Sequence, residues 1–246
     1  MVAKLKSNWK WIAYSVFLLF LAVSSISVNI GYISSILLFQ FPSTLILLPI
    51  LLMSFAVHEL AHAVVAHKLG DDSVKSSKHL SLNPLRHCAH VGMALFLFFC
   101  FGWAKPAELN TKNLKKPKTD MVLIAVAGPA ASFCLALLFL LSILFMKNLN
   151  ISLPNVVEFF IYSVCIVNMA IGAFNLIPLM PFDGSRMAMA FLPDGAYNFM
   201  QKDKVRNAAG IISLILITLL IVSGFFGSIL NSLGSLVHQI VDLSRF

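Results

Sequence analysis

His58, Glu59 and His62 stand in the stretch FAVHELAHAVVAHK, residues 55–68. Residues four apart share one face of a helix, because 3.6 residues make a turn. Both imidazoles can then point at one atom, and the carboxylate of Glu59 can reach a water held there. This H-E-x-x-H arrangement is suited to metal-assisted hydrolysis, with two nitrogen ligands for zinc and a glutamate as general base. The stretch ends a long apolar run that opens at Thr44. Ionisable side chains in such a run are expensive and mark a functional site. Read instead as helix-end caps or headgroup contacts, three such groups on one turn would be costly to bury without a metal.

A catalytic zinc takes three protein ligands and keeps one position for water. Asp183, in PLMPFDG at 178–184, is the candidate third ligand. It follows two prolines three apart, which open the backbone, and precedes a glycine that lets chains approach. The same Pro-x-Asp-Gly sequence also suits an ordinary turn. Asn175 could donate to a developing oxyanion, although an interhelical polar contact explains it as well. His67 lies off the ligand face near the helix end and reads as structural or solvated. His79, His87 and His90 crowd one loop, a weak pattern for a second metal. His238 falls far from the motif. Cys88, Cys100, Cys134 and Cys165 form no C-x-x-C pair, and a buried thiol is the plain reading for most of them.

These residues need a membrane to hold them. Hydrophobic residues make up 59% of the 246-residue chain, charged residues only 11%, and mean hydropathy is +0.89. A soluble domain is about 25% charged. The expected fold is an all-α polytopic membrane protein with about five transmembrane helices, a re-entrant or β-hairpin segment and a short C-terminal helix. The spans are read at 11–39, 44–69, 121–146, 156–177 and 208–226. Pro42 breaks the chain between the first two, a short helix follows at 185–192, and Pro193-Asp194-Gly195 forms a turn. The apolar stretch 91–104 is too short to cross as a helix and must lean on protein or line a cavity. An amphipathic tail at 230–243 completes the chain on the opposite side.

The charge pattern orients this arrangement. With the N-terminus in the cytoplasm, sixteen of the 18 Lys and Arg residues fall on the cytoplasmic side, all but Lys147 and Arg245. That satisfies the positive-inside rule and sets His58, His62 and Asp183 at a similar depth, nearer the cytoplasmic face. The net charge of +8 is thereby accounted for without nucleic acid, since no groove-reading motif is present.

HELAH at 58–62, AGPAASF at 127–133 and FNLIPLMPFDG at 174–184 resemble the site-2 protease family of intramembrane zinc metalloproteases. LSLNPLRH at 80–87 and FGWAKP at 101–106 resemble its compact bacterial members without PDZ or CBS domains. The resemblance covers about residues 50–190. It implies one zinc per chain held by His58, His62 and Asp183, with Glu59 as the base and Asn175 assisting substrate or oxyanion. It implies a single membrane-embedded metalloprotease domain over 1–246, with its core at about 44–190. The expected partners are a transmembrane protein or peptide substrate and the lipid bilayer, in a cell (inner) membrane; the sequence does not give the oligomeric state.

Four positions depart from the family pattern. Ser132 stands where relatives often carry asparagine. Ala89-His90 replaces an aspartate-proline pair, a Gly-Arg pair is replaced near Ser77-Lys78, and Ala107-Glu108 replaces proline-valine. These departures are expected to bear on substrate handling and the re-entrant region, and to leave the ligands untouched. Two other classes compete: a metal transporter, which should offer several ligand stations, and a zinc-binding scaffold without activity, which would not need Glu59.

Overall fold

The computed structural model describes residues 41–76, 80–87, 110, 113–200 and 202–243. All regular structure among these residues is helical. The chain runs through α1 (Phe41–Lys68), α2 (Ser73–Ser76), α3 (Pro84–His87), α4 (Pro117–Asn148), α5 (Asn155–Asn175), α6 (Asp183–Ala190), α7 (Asp194–Met200), α8 (Asp203–Val222) and α9 (Phe225–Leu243). The expected first span at 11–39 and the 91–104 segment lie outside the described residues.

Among the described residues three helices are long and apolar enough to cross a membrane: Leu47–Lys68 within α1, α4 and α5. At 1.5 Å per residue, even the 21 residues of α5 suffice for a hydrocarbon core of about 30 Å. The outward faces of α4 and α5 are apolar, with Leu138, Phe145 and Val156 among their exposed side chains. Such faces suit contact with acyl chains, so the chain reads as a membrane protein.

α4 is the central element, packing along both α1 and α5 and against α6. Two apolar clusters hold this arrangement. One joins Ala63 and Ala66 of α1, Val74 of α2, Leu114 in the segment before α4, and Ile124 of α4. The other joins Ala136 and Ile143 of α4, Cys165 of α5, and Val237 and Val241 of α9. His58 and His62 of α1 lie between them, where the side chains of α4 are smallest.

Several local expectations are corrected. Pro42 lies inside α1 rather than in a break; in a helix's first turn proline forfeits no bond the helix needs. Pro193-Asp194-Gly195 does not form a free-standing turn, because Asp194 and Gly195 open α7 and the Pro193 carbonyl accepts from Tyr197 N at 2.9 Å. Proline and aspartate favour helix starts as much as turns. The C-terminal helix is 19 residues long and begins at Phe225, directly after Gly224 at φ +75°. The polar stretch after α1 carries the short helices α2 and α3.

The turn after α1 is held by one buried carboxylate. Asp71 is fully buried. Its Oδ1 accepts from Ser73 N (3.1 Å), Ser73 Oγ (2.6 Å) and Asn113 Nδ2 (3.0 Å), and its Oδ2 accepts from Asn110 N (2.7 Å). It thereby ties the end of α1 to the segment that leads into α4. A second tie is Lys118 of α4, whose ammonium donates to Leu192 O (2.8 Å) and Asp194 Oδ1 (2.6 Å) and anchors the α6–α7 junction.

Burial alone would raise the pKa of Asp71, but the bonds from Ser73, Asn110 and Asn113 more than offset this and hold it below the ordinary carboxylate value. A depressed folded pKa means stability that is present above the unfolded value, about 3.9, and lost as pH falls through the folded one. Asp71→Asn is expected to cost about 2–3 kcal/mol at pH 7, read as a lower thermal midpoint in detergent. The gap to wild type should hold down to about pH 5 and close below about pH 4.

Candidate metal centre

The H-E-x-x-H turn lies within α1, ten residues before the helix ends at Lys68. At the helical rise His58 is about 15 Å from that end. His58 and His62 are each 2% exposed. Their rings meet edge to face, with centroids 4.7 Å apart and Nε2 atoms 3.1 Å apart.

Asp183 arrives from 121 residues beyond His62. α5 ends at Asn175, and a non-helical segment containing the cis Met180–Pro181 peptide carries the chain to α6. Gly184 makes the close return possible, since a Cβ there would come within 2.5 Å of the Ile177 carbonyl oxygen. Asp183 is 6% exposed, and its Oδ2 lies 3.1 Å from His58 Nε2 and 2.9 Å from His62 Nε2. Its Oδ1 lies 3.5 Å from Arg186 Nη1, one turn along α6.

The outer ring nitrogens are held by α4. His62 Nδ1 donates to the Ile124 carbonyl at 2.6 Å, and His58 Nδ1 lies 3.0 Å from Ser132 Oγ. Between these contacts sits Gly128. A Cβ on Gly128 would overlap the His62 ring and lie 2.6 Å from His58 Nε2. Only glycine therefore leaves the space at which both Nε2 atoms aim. The glycine of the Gly128-Pro129 pair thus clears the centre itself.

His58, His62 and Asp183 thus form a group that could hold a metal ion, and two observations test the fit. Zinc bonds of about 2.0–2.2 Å in tetrahedral array need ligand atoms about 3.3 Å apart; the three separations, 3.1, 3.1 and 2.9 Å, fall slightly inside that. The charges also call for a cation. A carbonyl only accepts, so His62 carries its proton on Nδ1. On the neutral ring, Nε2 then turns a lone pair toward a carboxylate oxygen 2.9 Å away. Positive charge placed among the three atoms removes that repulsion, and the donor set fits zinc.

The remaining candidates divide. Glu59 is half-buried beside His58 and within electrostatic reach of His62. Asn175, the last residue of α5, donates its amide to the Ile171 carbonyl at 2.9 Å. His67 lies at the end of α1 with its Nδ1 3.0 Å from Asp72 Oδ1. His238 lines a groove of about 360 Å³ with Lys147 and Glu158, against the other ends of α4 and α5. His79 and His90 lie outside the described residues. The expectation that no family departure touches the ligands is wrong for Ser132. Arg186, read only as a cytoplasmic charge, lies against Asp183. Neither has a spacing signature. Ser132 stands one helical turn beyond Gly128, the only hint that it shares a face with the centre.

Comparison with known proteins places these features. The family model described as Peptidase family M50 matches residues 46–157 and 150–220. The chain is 40% identical over 151 residues to YwhC of Bacillus subtilis, whose name provisionally makes it a zinc metalloprotease; the match covers 59% of this chain and 68% of that one. It is 32% identical over 176 residues to the zinc metalloprotease MJ0392 of Methanocaldococcus jannaschii, covering 71% of this chain and 42% of that one. A third relative is Rip3 of Mycobacterium tuberculosis, at 31% over 142 residues, covering 58% of this chain and 30% of that protein. The match therefore spans less than half the length of the two longer relatives. No solved structure matches it. The M50 match spans more than half of the chain and takes in both α1 and Asp183, so the chain belongs to Peptidase family M50, the site-2 protease family.

Proposed function

We propose that this protein is an intramembrane zinc endopeptidase that hydrolyses peptide bonds in or near transmembrane segments of membrane-protein substrates. The observation that carries the reading is the convergence of His58 Nε2, His62 Nε2 and Asp183 Oδ2 within 3.1 Å of one another, with both histidines and Glu59 on one turn of an apolar helix. His58, His62 and Asp183 would hold the zinc, which when bound acidifies water and polarises a peptide carbonyl. Glu59 takes a proton from the attacking water at its carboxylate and returns it to the leaving nitrogen. Asn175 is the candidate oxyanion donor, and would have to turn its amide away from Ile171 to act. The apolar clusters on either side of the centre limit solvent, so water must enter by a polar path, which the charge distribution puts on the cytoplasmic side.

A substrate helix has its carbonyls hydrogen-bonded internally and must open locally to present one. The segment 91–104 could hold an opened strand by main-chain pairing. The apolar face of α8, with Ile212, Ile215 and Leu219 exposed, supports a further span, and the apolar sequence at 11–39 is long enough for the remaining one. The topology is then multi-pass in a cell (inner) membrane, with the N-terminus and the centre toward the cytoplasm, as a single domain over 1–246. Among the described residues one metal-ligand group is present, which favours a hydrolytic centre over a transport path with several stations. Glu59 favours an enzyme over an inactive scaffold.

Glu59→Gln should retain one zinc per chain and lose about 10²–10⁴-fold in cleavage of single-span peptides; wild-type cleavage by this variant would contradict the mechanism. Gly128→Ala should bind zinc more weakly. Overpacking costs about 1–3 kcal/mol, equivalent to about a five- to 150-fold loss in affinity. Chelator competition on the detergent-purified variant checks this, and wild-type affinity would show that the glycine does not clear the centre.

A further inference from the structure

The outer contacts of both histidines come from α4. Ile124, Gly128 and Ser132 are four apart and share one face of that helix. Ile124 offers its carbonyl to His62, Gly128 leaves the space between the rings, and Ser132 meets His58. The two histidine contacts differ in kind. The Ile124 carbonyl can only accept, so the His62 proton is fixed on Nδ1. A hydroxyl can either accept or donate, so the state of His58 depends on which way Ser132 is used.

We propose that Ser132 is the positioning residue of His58, its Oγ accepting the Nδ1–H so that the Nε2 lone pair faces the same point as that of His62. The inference rests on the proposed ligand role of His58. Ser132 is fully buried at 0% exposure, so bulk water cannot replace its hydroxyl if it is removed. If the hydroxyl donated instead, Nε2 would carry the proton and could not ligate until it was lost. Accepting from Nδ1 also makes the ring a better ligand, because partners of the distal N–H raise its basicity and fix its orientation.

Ser132 would touch neither substrate nor metal and would act only through His58.

The test is zinc affinity by chelator competition in the full-length, detergent-purified protein, for wild type, Ser132→Ala and Ser132→Thr. The thermal midpoint of each zinc-free form and the ligand-field spectrum of each Co²⁺-loaded form are measured alongside. Alanine should bind Zn²⁺ about 10–100-fold more weakly and alter the Co²⁺ spectrum, with its zinc-free midpoint unchanged. Threonine, which keeps the hydroxyl, should bind within about threefold of wild type, a small part of the change that loss of such a partner causes. Wild-type affinity in the alanine variant would overturn the proposal. A loss matched by an equal fall in zinc-free stability would also overturn it, since packing alone would then explain the loss. A threonine variant that folds like wild type but binds as weakly as alanine would show that the hydroxyl is not the cause. A wild-type protein that binds no zinc would instead remove the ligand reading on which the proposal rests.

Discussion

One carboxylate oxygen holds this structure's chemistry together. Asp183 Oδ2 meets two imidazole nitrogens at 3.1 and 2.9 Å, in a place where each of the three residues is nearly solvent-free. Polar groups so buried are costly unless each has a partner. The surrounding fold meets that demand. Gly184 lets α6 start beneath the end of α5, so that the carboxylate can point back. Gly128 lets α4 close against α1 without filling the space between the rings. Ile124, Ser132 and Arg186 occupy the outward atoms of the three candidate ligands. A local change in any of these positions acts on the centre through geometry rather than by direct contact with a reacting group.

The apolar packing serves the same end. The cluster around Ala63, Ala66 and Ile124 lies on the Lys68 side of the centre, and the cluster around Ala136, Cys165 and Val237 lies on the other. Small residues dominate where α1 and α4 meet, as expected where helices associate in lipid by close approach rather than by a hydrophobic driving force. Asp71 and Lys118 do comparable work outside the spans. Asp71 fixes the chain between α1 and α4, and Lys118 fixes the junction after α6. The helices that carry the candidate ligands are therefore tied at their polar ends as well as packed along their lengths.

Much of this was legible in the residues. Two histidines and a glutamate on one helical turn need only a periodicity argument. The α4 and α5 spans follow from long apolar runs, and their observed limits lie within about four residues of the expected ones. The pairing of Asp183 with the histidines could be reached from matching depth and from family resemblance, but not from spacing, because it bridges more than a hundred residues. Two kinds of feature stayed hidden. Pro42 and Pro193-Asp194-Gly195 lie within or open helices although their residue types equally mark breaks, and local sequence does not separate the two. Ser132, Arg186 and the Ile124 carbonyl were missed as outer partners, since a serine, an arginine and a backbone oxygen carry no pattern until the helices are packed. The same gap led to the mistaken expectation that the Ser132 departure would leave the ligands untouched.

The central claim is that His58, His62 and Asp183 together hold one zinc. Zinc K-edge X-ray absorption of the purified wild-type protein tests it most directly. The account predicts one zinc per chain with nitrogen and oxygen neighbours at about 2.0–2.2 Å, outer-shell scattering from two imidazoles, and no sulfur. A sulfur shell at about 2.3 Å, or a first shell without imidazole, would place the metal on other residues and contradict it.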